Sequence, residues 1–315
     1  MNQEPQCDSL STSIRLSLII PCRDVNDPKL GELLKSIEAQ DFPKDELETL
    51  IITEGTSESA KAIGIKQAKG DIIGILASDN ELTFNSFLRE MIKDFPVLDA
   101  SYPAYYHYKK EDDILNRYFS LLGGNDPLSF YMDKNDKKPF YERDNELPDW
   151  SSYERESNQT LGDNGFFIKK ELIESTDLEN YYHVDNANEA ISGKVVSPVQ
   201  CDIWHKTGGN IFSFFAKRYR YGLQHAFNKN RRWHLVDFRK PKDIWRLVWF
   251  ILCTLTILEP LCLSIRGYLK VKDIAWFIHP IACLGTVFTY GLLVFHLFCQ
   301  YMFRLLSAPM TVKRA

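Results

Sequence analysis

Paired cysteines are missing from this sequence. Its seven cysteines include no CxxC pair and no companion histidine at zinc-site spacing, so neither a zinc site nor a disulfide framework is predicted. Four of them, Cys253, Cys262, Cys283 and Cys299, lie in apolar segments, where cysteine behaves as a small hydrophobic residue. We expect all seven to be free thiols.

An N-terminal export signal is also missing. Residues 1–13, MNQEPQCDSLSTS, form a polar tail without the basic start and apolar run of a signal peptide. We therefore expect the domain that follows to remain in the cytoplasm, a compartment that keeps thiols reduced.

The charges are unevenly distributed along the chain. The net charge is only -4, but cations greatly outnumber acids between His205 and Arg246. Within this block, residues 211–243 combine cations with aromatic residues, as a basic amphipathic segment at a membrane interface does. A solvated basic face or a nucleic-acid patch is the alternative. Because apolar segments follow directly, we favour lipid contact and predict no nucleic-acid partner.

Two C-terminal stretches are apolar enough and long enough to cross a bilayer, which takes about 20 helical residues. They are Leu247–Ile265, interrupted by Glu259 and Pro260, and Ile274–Phe303. Residues 244–315 are accordingly predicted to be a transmembrane helical hairpin with a short tail. A pair of buried helices in a soluble protein is the alternative, because an ionisable group is costly at membrane depth.

The cations that flank these stretches predict an orientation. More of them precede the first stretch than lie in the loop between the two stretches. The positive-inside tendency then places the N-terminal domain and the tail residues Lys313 and Arg314 in the cytoplasm. The sequence thus predicts an integral membrane protein with its main domain on the cytoplasmic face.

Strand and helix patterns alternate over the first hundred residues. Leu16–Ile20, Glu48–Ile52 and Asp71–Leu76 are predicted to be buried strands, whereas apolar spacing predicts helices over Leu30–Ile37 and Ala60–Ala68. Short strands that alternate with helices are typical of an α/β fold with a parallel sheet and right-handed crossovers.

Polar residues follow the predicted strands. Arg23 and Asp24 come after the first strand, Glu54 after the second, and Asp79 and Asn80 after the third. Ligands of such sheets bind at the carboxyl ends of the strands. Carboxylates that converge there repel one another unless a ligand or cation joins them. The pattern therefore suggests a nucleotide site, although acids after strands also occur in α/β proteins without one.

Five segments, in this order and spacing, resemble the family 2 glycosyltransferases of GT-A fold. They are Leu18–Asp24, Leu34–Pro43, Glu48–Ile52, Ala62–Asp71 and Ile75–Asn80. The resemblance implies a GT-A catalytic domain over residues 14–210, with a Rossmann-like, mostly parallel sheet that binds a nucleotide-sugar donor.

The resemblance also implies roles at the donor pocket. Pro21, Arg23 and Asp24 would flank the nucleobase, and Glu54 stands where an aspartate usually meets the nucleoside. The family's metal-binding DxD falls on Ala77-Ser78-Asp79, followed by Asn80, so one carboxylate is absent. Asp79 and His205 are the candidate ligands of a divalent cation, Mg or Mn. A structural histidine is the alternative for His205.

Acceptor-side residues are implied further along the chain. Asn164 and Gly165 match the segment beside the donor sugar, and Asp185 matches the second acid of the segment that supplies the catalytic base. An N-cap is the alternative role for Asp185. The turn Gly-Gly-Asn-Asp-Pro127 lies between the donor and acceptor halves, which makes Arg117 and Asp126 further candidates.

These expectations converge on an inverting glycosyltransferase. Its donor would be a UDP- or GDP-sugar, and its acceptor a lipid-linked or membrane-proximal saccharide or lipid. The C-terminal hairpin resembles that of polyprenyl-phosphate sugar transferases. The main alternative is a non-catalytic, membrane-tethered nucleotide-binding or scaffold protein of the same fold, suggested by Ala77 and Val184 where acids are expected. A nucleotidyltransferase on a related sheet is a third reading.

Overall fold

The structure, a computed structural model, describes residues 14–135, 137–145, 147, 151–152, 160–207, 209–227 and 232–307. The predicted N-terminal tail, Cys7 and residues 308–315 thus lie outside the described residues. The chain divides into two compact units. An α/β unit takes in Met1–His107, Asp136–Lys138 and Glu142–Lys206, and a helical unit takes in Tyr108–Asn135, Pro139–Tyr141 and Thr207–Ala315.

The α/β unit begins with the alternation that the sequence predicts. Its first elements are β1 Leu16–Pro21, α1 Pro28–Glu38, β2 Leu47–Ile52, α2 Ser57–Gln67, β3 Ile72–Leu76, β4 Asn80–Leu82, α3 Phe87–Ile92 and β5 Ala100–Tyr106. The two helices that follow in the chain, α4 and α5, belong to the helical unit. The α/β unit then continues with β6 Ser151–Ser152, β7 Asn164–Lys169, α6 Lys170–Glu174, α7 His183–Ala190 and β8 Val195–His205. The five elements predicted from the first hundred residues are confirmed to within a few residues at their ends.

The eight strands form one sheet in the order β2-β1-β3-β7-β5-β8-β4, with β6 beside β8. Strand β1 is parallel to β2 and β3, and β5 is parallel to β8. The pairs β3–β7, β5–β7, β4–β8 and β6–β8 are antiparallel. The prediction of a mostly parallel sheet is therefore wrong beyond β3. The alternation of strand and helix that predicts parallel pairing ends there. Strand β4 follows β3 without a helix between them, and β7 enters the sheet between β3 and β5 from a distant part of the chain.

Two apolar layers cover the faces of this sheet. On one face, Leu16, Leu18 and Ile20 of β1 pack with α1 and α3, and on the other face Ile19 packs with α2 and α7. This period of two is the strand pattern visible in the sequence. Helix α2 approaches β1 closely, because a Cβ on Gly64 would lie 2.4 Å from the Ile19 side chain.

The helical unit contains six α-helices among the described residues. They are α4 Ile114–Leu122, α5 Pro127–Tyr131, α8 Ile211–Phe227, α9 Pro241–Thr256, α10 Leu258–Lys270 and α11 His279–Ser307, with a 3-10 turn over Ile274–Ile278. The turn predicted at Gly-Gly-Asn-Asp-Pro127 joins α4 to α5. It begins at Gly123, whose φ of 74° ends α4, and it ends at Asp126, which caps α5.

The first predicted membrane span is not one helix. Helices α9 and α10 bend by 84° at Ile257, which has the left-handed φ of 62°. A β-branched residue rarely adopts this conformation, so contacts on both sides must hold the bend. One of them is the hydrogen bond from the Tyr131 hydroxyl to Glu259 at the start of α10. The predicted first span is therefore a bent pair of helices, and the transmembrane hairpin that includes it stays a prediction.

The second predicted span is helical, and Ile274–Phe303 is long and apolar enough to cross a membrane. Within the helical unit α8 lies against it. The Phe215 ring fills the space beside Gly285, and the Tyr219 hydroxyl is hydrogen-bonded to His296. Lys217 and Arg220 of α8 are exposed, and the assignment of residues 211–243 to a membrane interface stays a prediction. Residues 228–231 of that segment lie outside the described residues.

Candidate functional site

The predicted donor residues share one edge of the sheet. Pro21 of β1 is in register with Ile52 of β2, and Ile19 is in register with Ile75 of β3. The carboxyl ends of these three parallel strands therefore lie side by side. The segments that leave them carry Arg23 and Asp24, Glu54, and Ala77 to Asn80. We call this edge the strand-end site.

The side chains nearest β1 and β2 are exposed. Pro21 is the last residue of β1 and is half-buried, and Arg23 and Asp24 are exposed directly after it. The Asp24 carboxylate accepts a hydrogen bond from the Asn26 N–H at 2.9 Å, which fixes a local turn. Glu54 is exposed in the turn before α2. These positions leave the three charged side chains at the solvent-facing rim.

Asn80 organises the turn that follows β3. Its Oδ1 accepts from the Ala77 N–H at 2.9 Å, and its Nδ2 donates to Asn164 Oδ1 at 2.9 Å. Asn164 in turn donates to the Tyr106 hydroxyl at 3.0 Å. Asn80 is 1% exposed and Asn164 is 5% exposed. Both amides therefore shape the strand-end site from beneath, and Asp79 is held beside them.

The two candidate metal ligands lie together. Strand β4 is antiparallel to β8, with Asn80 opposite His205, and His205 Nε2 lies 3.5 Å from Asp79 Oδ1. The exposed fractions of their side chains are 13% and 22%. No group of three or more His, Cys, Asp or Glu placed to hold a metal occurs among the described residues. The Asp79 carboxylate is a ligand type that suits Mg and Mn, whereas imidazole suits Zn, Cu, Fe and Ni, and these two residues alone are not a complete site.

A buried ion cluster beside the strand-end site was not predicted. The Lys61 ammonium in α2 lies 3.0 Å from Glu58 and 2.9 Å from Asp163, which directly precedes β7. Lys61 is 2% exposed, and both acids are about one-third exposed, at 32%. In the sequence, Glu58 and Lys61 read as an ordinary surface pair at i,i+3. The burial of Lys61 becomes visible only in the structure, where the chain returns at Asp163 and contacts the lysine.

The cluster keeps its charges. Burial opposes ionisation of Lys61 and Asp163, but each stabilises the charge of the other, with Glu58 adding to the effect on Lys61. As a result the pKa of Lys61 lies above its ordinary value and the pKa of Asp163 lies below it. His205 also contributes to lowering the pKa of Asp163. The cluster and the Asp79–His205 pair are thus electrostatically linked.

His183 joins the same cluster from the start of α7. Its backbone N–H donates to Glu58 at 2.6 Å, and its ring Nδ1 is hydrogen-bonded to the Tyr181 hydroxyl at 2.9 Å. Burial, followed by the Lys61 charge, lowers the pKa of His183, so the ring is neutral at pH 7. Among the described residues, its Nε2 has no partner with hydrogen-bond geometry, although the Gly162 carbonyl favours the charged ring.

Asp185, the predicted base, lies in the first turn of α7 and is 6% exposed. The N-cap of α7 is Tyr182, so the alternative role of Asp185 as an N-cap is wrong. Asn186 reaches back instead and accepts a hydrogen bond from the Tyr182 N–H at 2.8 Å. A carboxylate in the first turn is favoured by the helix dipole. The catalytic role of Asp185 stays a prediction.

Gly165 has a backbone role. Its φ is 83°, and a Cβ there would lie 3.0 Å from the Pro103 ring. The irregularity in the β3–β7 pairing occurs beside it, where Leu76 is opposite Asn164. A side chain at this position would strain the irregular start of β7, which presents Asn164 to Asn80.

Arg117 and Asp126 belong to the helical unit. Arg117 Nη1 lies 3.2 Å from Asp273. Asp126 caps α5 through the Leu128 N–H at 2.9 Å and also accepts from the Tyr290 hydroxyl. These contacts are those of helix packing, and the acceptor-side role of both residues stays a prediction without a contact in its favour.

Comparison with known proteins gives matches in structure only. No protein-family model matches the chain, and no curated protein matches it in sequence. A mannosyltransferase from Pyrobaculum calidifontis, in complex with GDP-Man and Mn2+, aligns with a TM-score of 0.46 at 14% identity, covering 89% of this chain and 87% of that chain. S. aureus TarS 1-349 in complex with UDP-GlcNAc aligns with a TM-score of 0.44 at 13% identity, covering 89% and 90%. Because these TM-scores are below 0.5, the function proposed next is argued from the residues of this chain.

Proposed function

We propose that this protein transfers a sugar from a UDP- or GDP-sugar donor to a lipid-linked or membrane-proximal acceptor, with inversion at the anomeric carbon. The observation that carries the proposal is the strand-end site. Three parallel strands end side by side, and the segments after them bring Arg23, Asp24, Glu54 and Asp79 to one edge. This is the edge at which α/β sheets bind nucleotides.

The donor would lie across this edge. Arg23, Asp24 and Glu54, on the exposed rim, are assigned to the nucleoside, whose base and ribose offer hydrogen-bond donors to carboxylates. Asp79 and His205 are assigned to the diphosphate end, where they would hold Mg or Mn. The ion, when bound, would neutralise the leaving diphosphate. The buried amides of Asn80 and Asn164 keep the Asp79 turn in place.

The acceptor side is assigned to α7 and the start of β7. In the reaction the acceptor hydroxyl attacks the anomeric carbon from the face opposite the diphosphate, the bond from that carbon to the diphosphate oxygen breaks, and a base takes the hydroxyl proton. Asp185 is the residue assigned as base. Its helix is bound to the cluster of Lys61, Glu58 and Asp163 through His183, so the cluster would hold the base in position.

The helical unit suits a membrane-bound acceptor. Large apolar side chains are exposed along α9, α10 and α11, including Trp245, Trp249, Leu255, Phe288 and Phe298. An exposed apolar surface of this extent is unusual for a soluble monomer. We therefore assign the unit to the membrane, with the α/β unit on the cytoplasmic face.

A second candidate function, a non-catalytic nucleotide-binding or scaffold protein, is favoured by one observation. Ala77 provides no carboxylate where the resembled family has its first metal ligand, and the described residues contain only the pair Asp79 and His205 at this point. Donor binding without turnover would distinguish this candidate from the transferase.

Titration calorimetry on the detergent-solubilised full chain tests the donor site. UDP, GDP and their sugars are titrated with and without Mn or Mg, using wild type, Asp79→Asn and the matched variant Asp71→Asn. Asp71 is exposed at the opposite end of β3, so it controls for the loss of one carboxylate. We expect one nucleotide to bind at micromolar Kd, at least tenfold more weakly to Asp79→Asn and after chelation, and unchanged to Asp71→Asn.

The outcomes separate the candidates. If no nucleotide binds to a folded sample, the transferase proposal is overturned. If Asp79→Asn and Asp71→Asn weaken nucleotide binding equally, the nucleotide does not bind at the strand-end site. Binding as expected, but without release of UDP or GDP in the presence of lipid extract, would favour the non-catalytic candidate.

A further inference from the structure

The bent pair α9–α10 has both of its ends bound to the same short segment. This segment, Tyr108–Asn135, contains α4 and α5 and belongs, like the pair, to the helical unit. The two attachments decide where the ends of the pair can lie relative to a membrane.

The first attachment is at the start of α9. The Lys134 ammonium lies 2.6 Å from the Asp243 carboxylate and donates to the Leu235 carbonyl at 2.8 Å. Both charged side chains are buried, with exposed fractions of 7% and 6%. One turn further, Arg246 donates to Asp133 at 2.9 Å. The start of α9 is therefore fixed to the end of the segment.

The second attachment is just after α10. Asp273 accepts a hydrogen bond from the Tyr108 hydroxyl at 2.5 Å and from Arg117 at 3.2 Å. Its side chain is 1% exposed, so the carboxylate is enclosed by these partners. The end of the bent pair is therefore fixed to the beginning of the segment.

The segment itself begins and ends on the side of the α/β unit. The chain enters it directly from His107 and returns to the α/β unit by Lys137. To cross a membrane and come back, it would need two apolar helices of about 20 residues each. Its two helices have 9 and 5 residues, and Lys109 and Lys110 are exposed at its start. The segment stays on one side, and so do the ends of the pair bound to it.

The charge and shape of the pair agree with this placement. Helix α9, with 16 residues, is about 24 Å long, less than the roughly 30 Å hydrocarbon core. Exposed apolar side chains run along both helices and continue through the bend, and exposed cations lie at both ends. The apolar set at the bend is Leu252, Leu255, Ile257, Leu258 and Leu261, and the cations are Lys240, Lys242, Arg266, Lys270 and Lys272.

We infer that α9 and α10 form a re-entrant pair, which dips into the leaflet on the side of the α/β unit, with its bend in the hydrocarbon and its cations among anionic headgroups. This inference rests on the membrane anchorage included in the proposed function. It places the loop 271–273, directly after α10, on the same side as the catalytic domain, whereas a transmembrane hairpin places that loop on the opposite side.

Cysteine labelling on the full chain tests the placement. Cys7, Cys262 and Cys299 are first replaced by serine, because the other described cysteines, Cys22, Cys201, Cys253 and Cys283, are buried. Lys272→Cys reports the position of the loop after α10, and Leu255→Cys reports the position of the bend. Lys66→Cys, at an exposed position on α2, marks the side of the α/β unit. A membrane-impermeant maleimide is applied to inverted vesicles and to spheroplasts of the expressing cells.

We expect Lys272→Cys and Lys66→Cys to be labelled to the same extent in the same preparation, and Leu255→Cys to react in neither until detergent is added. Labelling of Lys272→Cys only in the opposite preparation would overturn the re-entrant pair. So would labelling of Leu255→Cys without detergent, which would place the bend in water and not in the hydrocarbon. Nucleotide titration of each variant tests the donor site separately. If Lys272→Cys is labelled on the side opposite the α/β unit while nucleotide binding is unchanged, the re-entrant pair is rejected and the proposed function is not.

A chain recovered in the soluble fraction would overturn the membrane anchorage and this inference together. Carbonate extraction before labelling detects that case. Arg266→Cys, at an exposed position in the last two turns of α10, repeats the measurement if Lys272→Cys does not fold.

Discussion

Lys61 and Lys134 are buried lysines, one from each unit, and they are used differently. Lys61 of the α/β unit binds two acids that are each about one-third exposed. Lys134 of the helical unit binds Asp243, which is as buried as the lysine itself. The first cluster therefore carries a net negative charge to the strand-end site, whereas the second is a neutral pair enclosed among helices.

The two sets of ion pairs therefore differ in role. The Lys61 cluster places charge beside the strand-end site, and the Lys134 pair attaches one helix to another part of its unit. A buried ion pair contributes little net stability compared with apolar residues of similar volume, so each pair needs another reason to exist. For Lys61 the reason is the placement of Asp163 and, through Glu58 and His183, of α7 beside the site. For Lys134 it is the attachment of α9 to the segment Tyr108–Asn135.

The largest effect is expected for Lys61→Met. This change leaves the Glu58 and Asp163 carboxylates near each other without their cation, and removal of one partner of a buried pair costs about 3 kcal/mol or more. Chemical denaturation of the full chain, followed by the unfolding of the α/β unit, measures the cost. Lys66→Met, an exposed position on the same helix, is the control and should change the free energy of unfolding by less than about 0.5 kcal/mol.

The pH dependence identifies the cause. The folded pKa of Asp163 is lowered, so its contribution to stability is present above the unfolded pKa of about 4 and is lost as the pH falls through the folded pKa. Lys61 stays charged throughout this range. The stability gap between wild type and Lys61→Met should therefore narrow from pH 6 to about pH 3. A gap that stays constant would assign the effect to packing.

Lys134→Met is expected to lower the stability of the helical unit by a similar amount, and a second change, Asp243→Asn, is expected to restore much of that loss. Loss of the cation leaves Asp243 buried and uncompensated, at a cost of about 3 kcal/mol. Adding Asp243→Asn removes the charge and should restore at least half of the loss, because no ion remains to be buried. Thermal unfolding in detergent measures both variants, with Lys242→Met as the exposed control. If the double variant is no more stable than Lys134→Met, the charge of Asp243 is not the cause of the loss, and the ion pair does not attach α9 to the segment Tyr108–Asn135.

A smaller effect is expected for the backbone of the strand-end site. Gly165→Ala and Gly193→Ala both place a side chain at a left-handed φ, but only the former meets a neighbour, Pro103, at 3.0 Å, and Gly193 faces open space. Each should lose about 1 kcal/mol from conformation, and Gly165→Ala should lose about 1 kcal/mol more. Equal losses by denaturation would show that the Asn164 turn tolerates the clash.

The α/β unit is predictable where its sequence signals are local. Alternation in β1 and helical spacing in α1 are read directly from neighbouring residues, and so is the position of Asp24 after a strand. The pairing of Asp79 with His205 follows only from the resemblance. The cluster around Lys61 could not be predicted, because Asp163 lies 102 positions away and the pairing of β7 with β3 brings it back.

In the helical unit, average composition does not predict where a helix bends. A window average over Leu247–Ile265 predicts one span, since Glu259 and Pro260 are diluted by their apolar neighbours. The bend at Ile257 depends on partners from elsewhere in the chain, among them Tyr131 at Glu259 and Tyr108 at Asp273. Such partners leave no mark on local hydropathy.

The segment Tyr108–Asn135 also decides which truncated forms of the protein can be soluble. Its apolar face, which includes Leu115, Tyr118 and Phe119, is buried against helices from the C-terminal third of the chain. A chain cut after Lys206 would keep this segment and expose that face to water. An excised α/β unit would therefore aggregate unless the residues between His107 and Lys137 were replaced by a short polar linker.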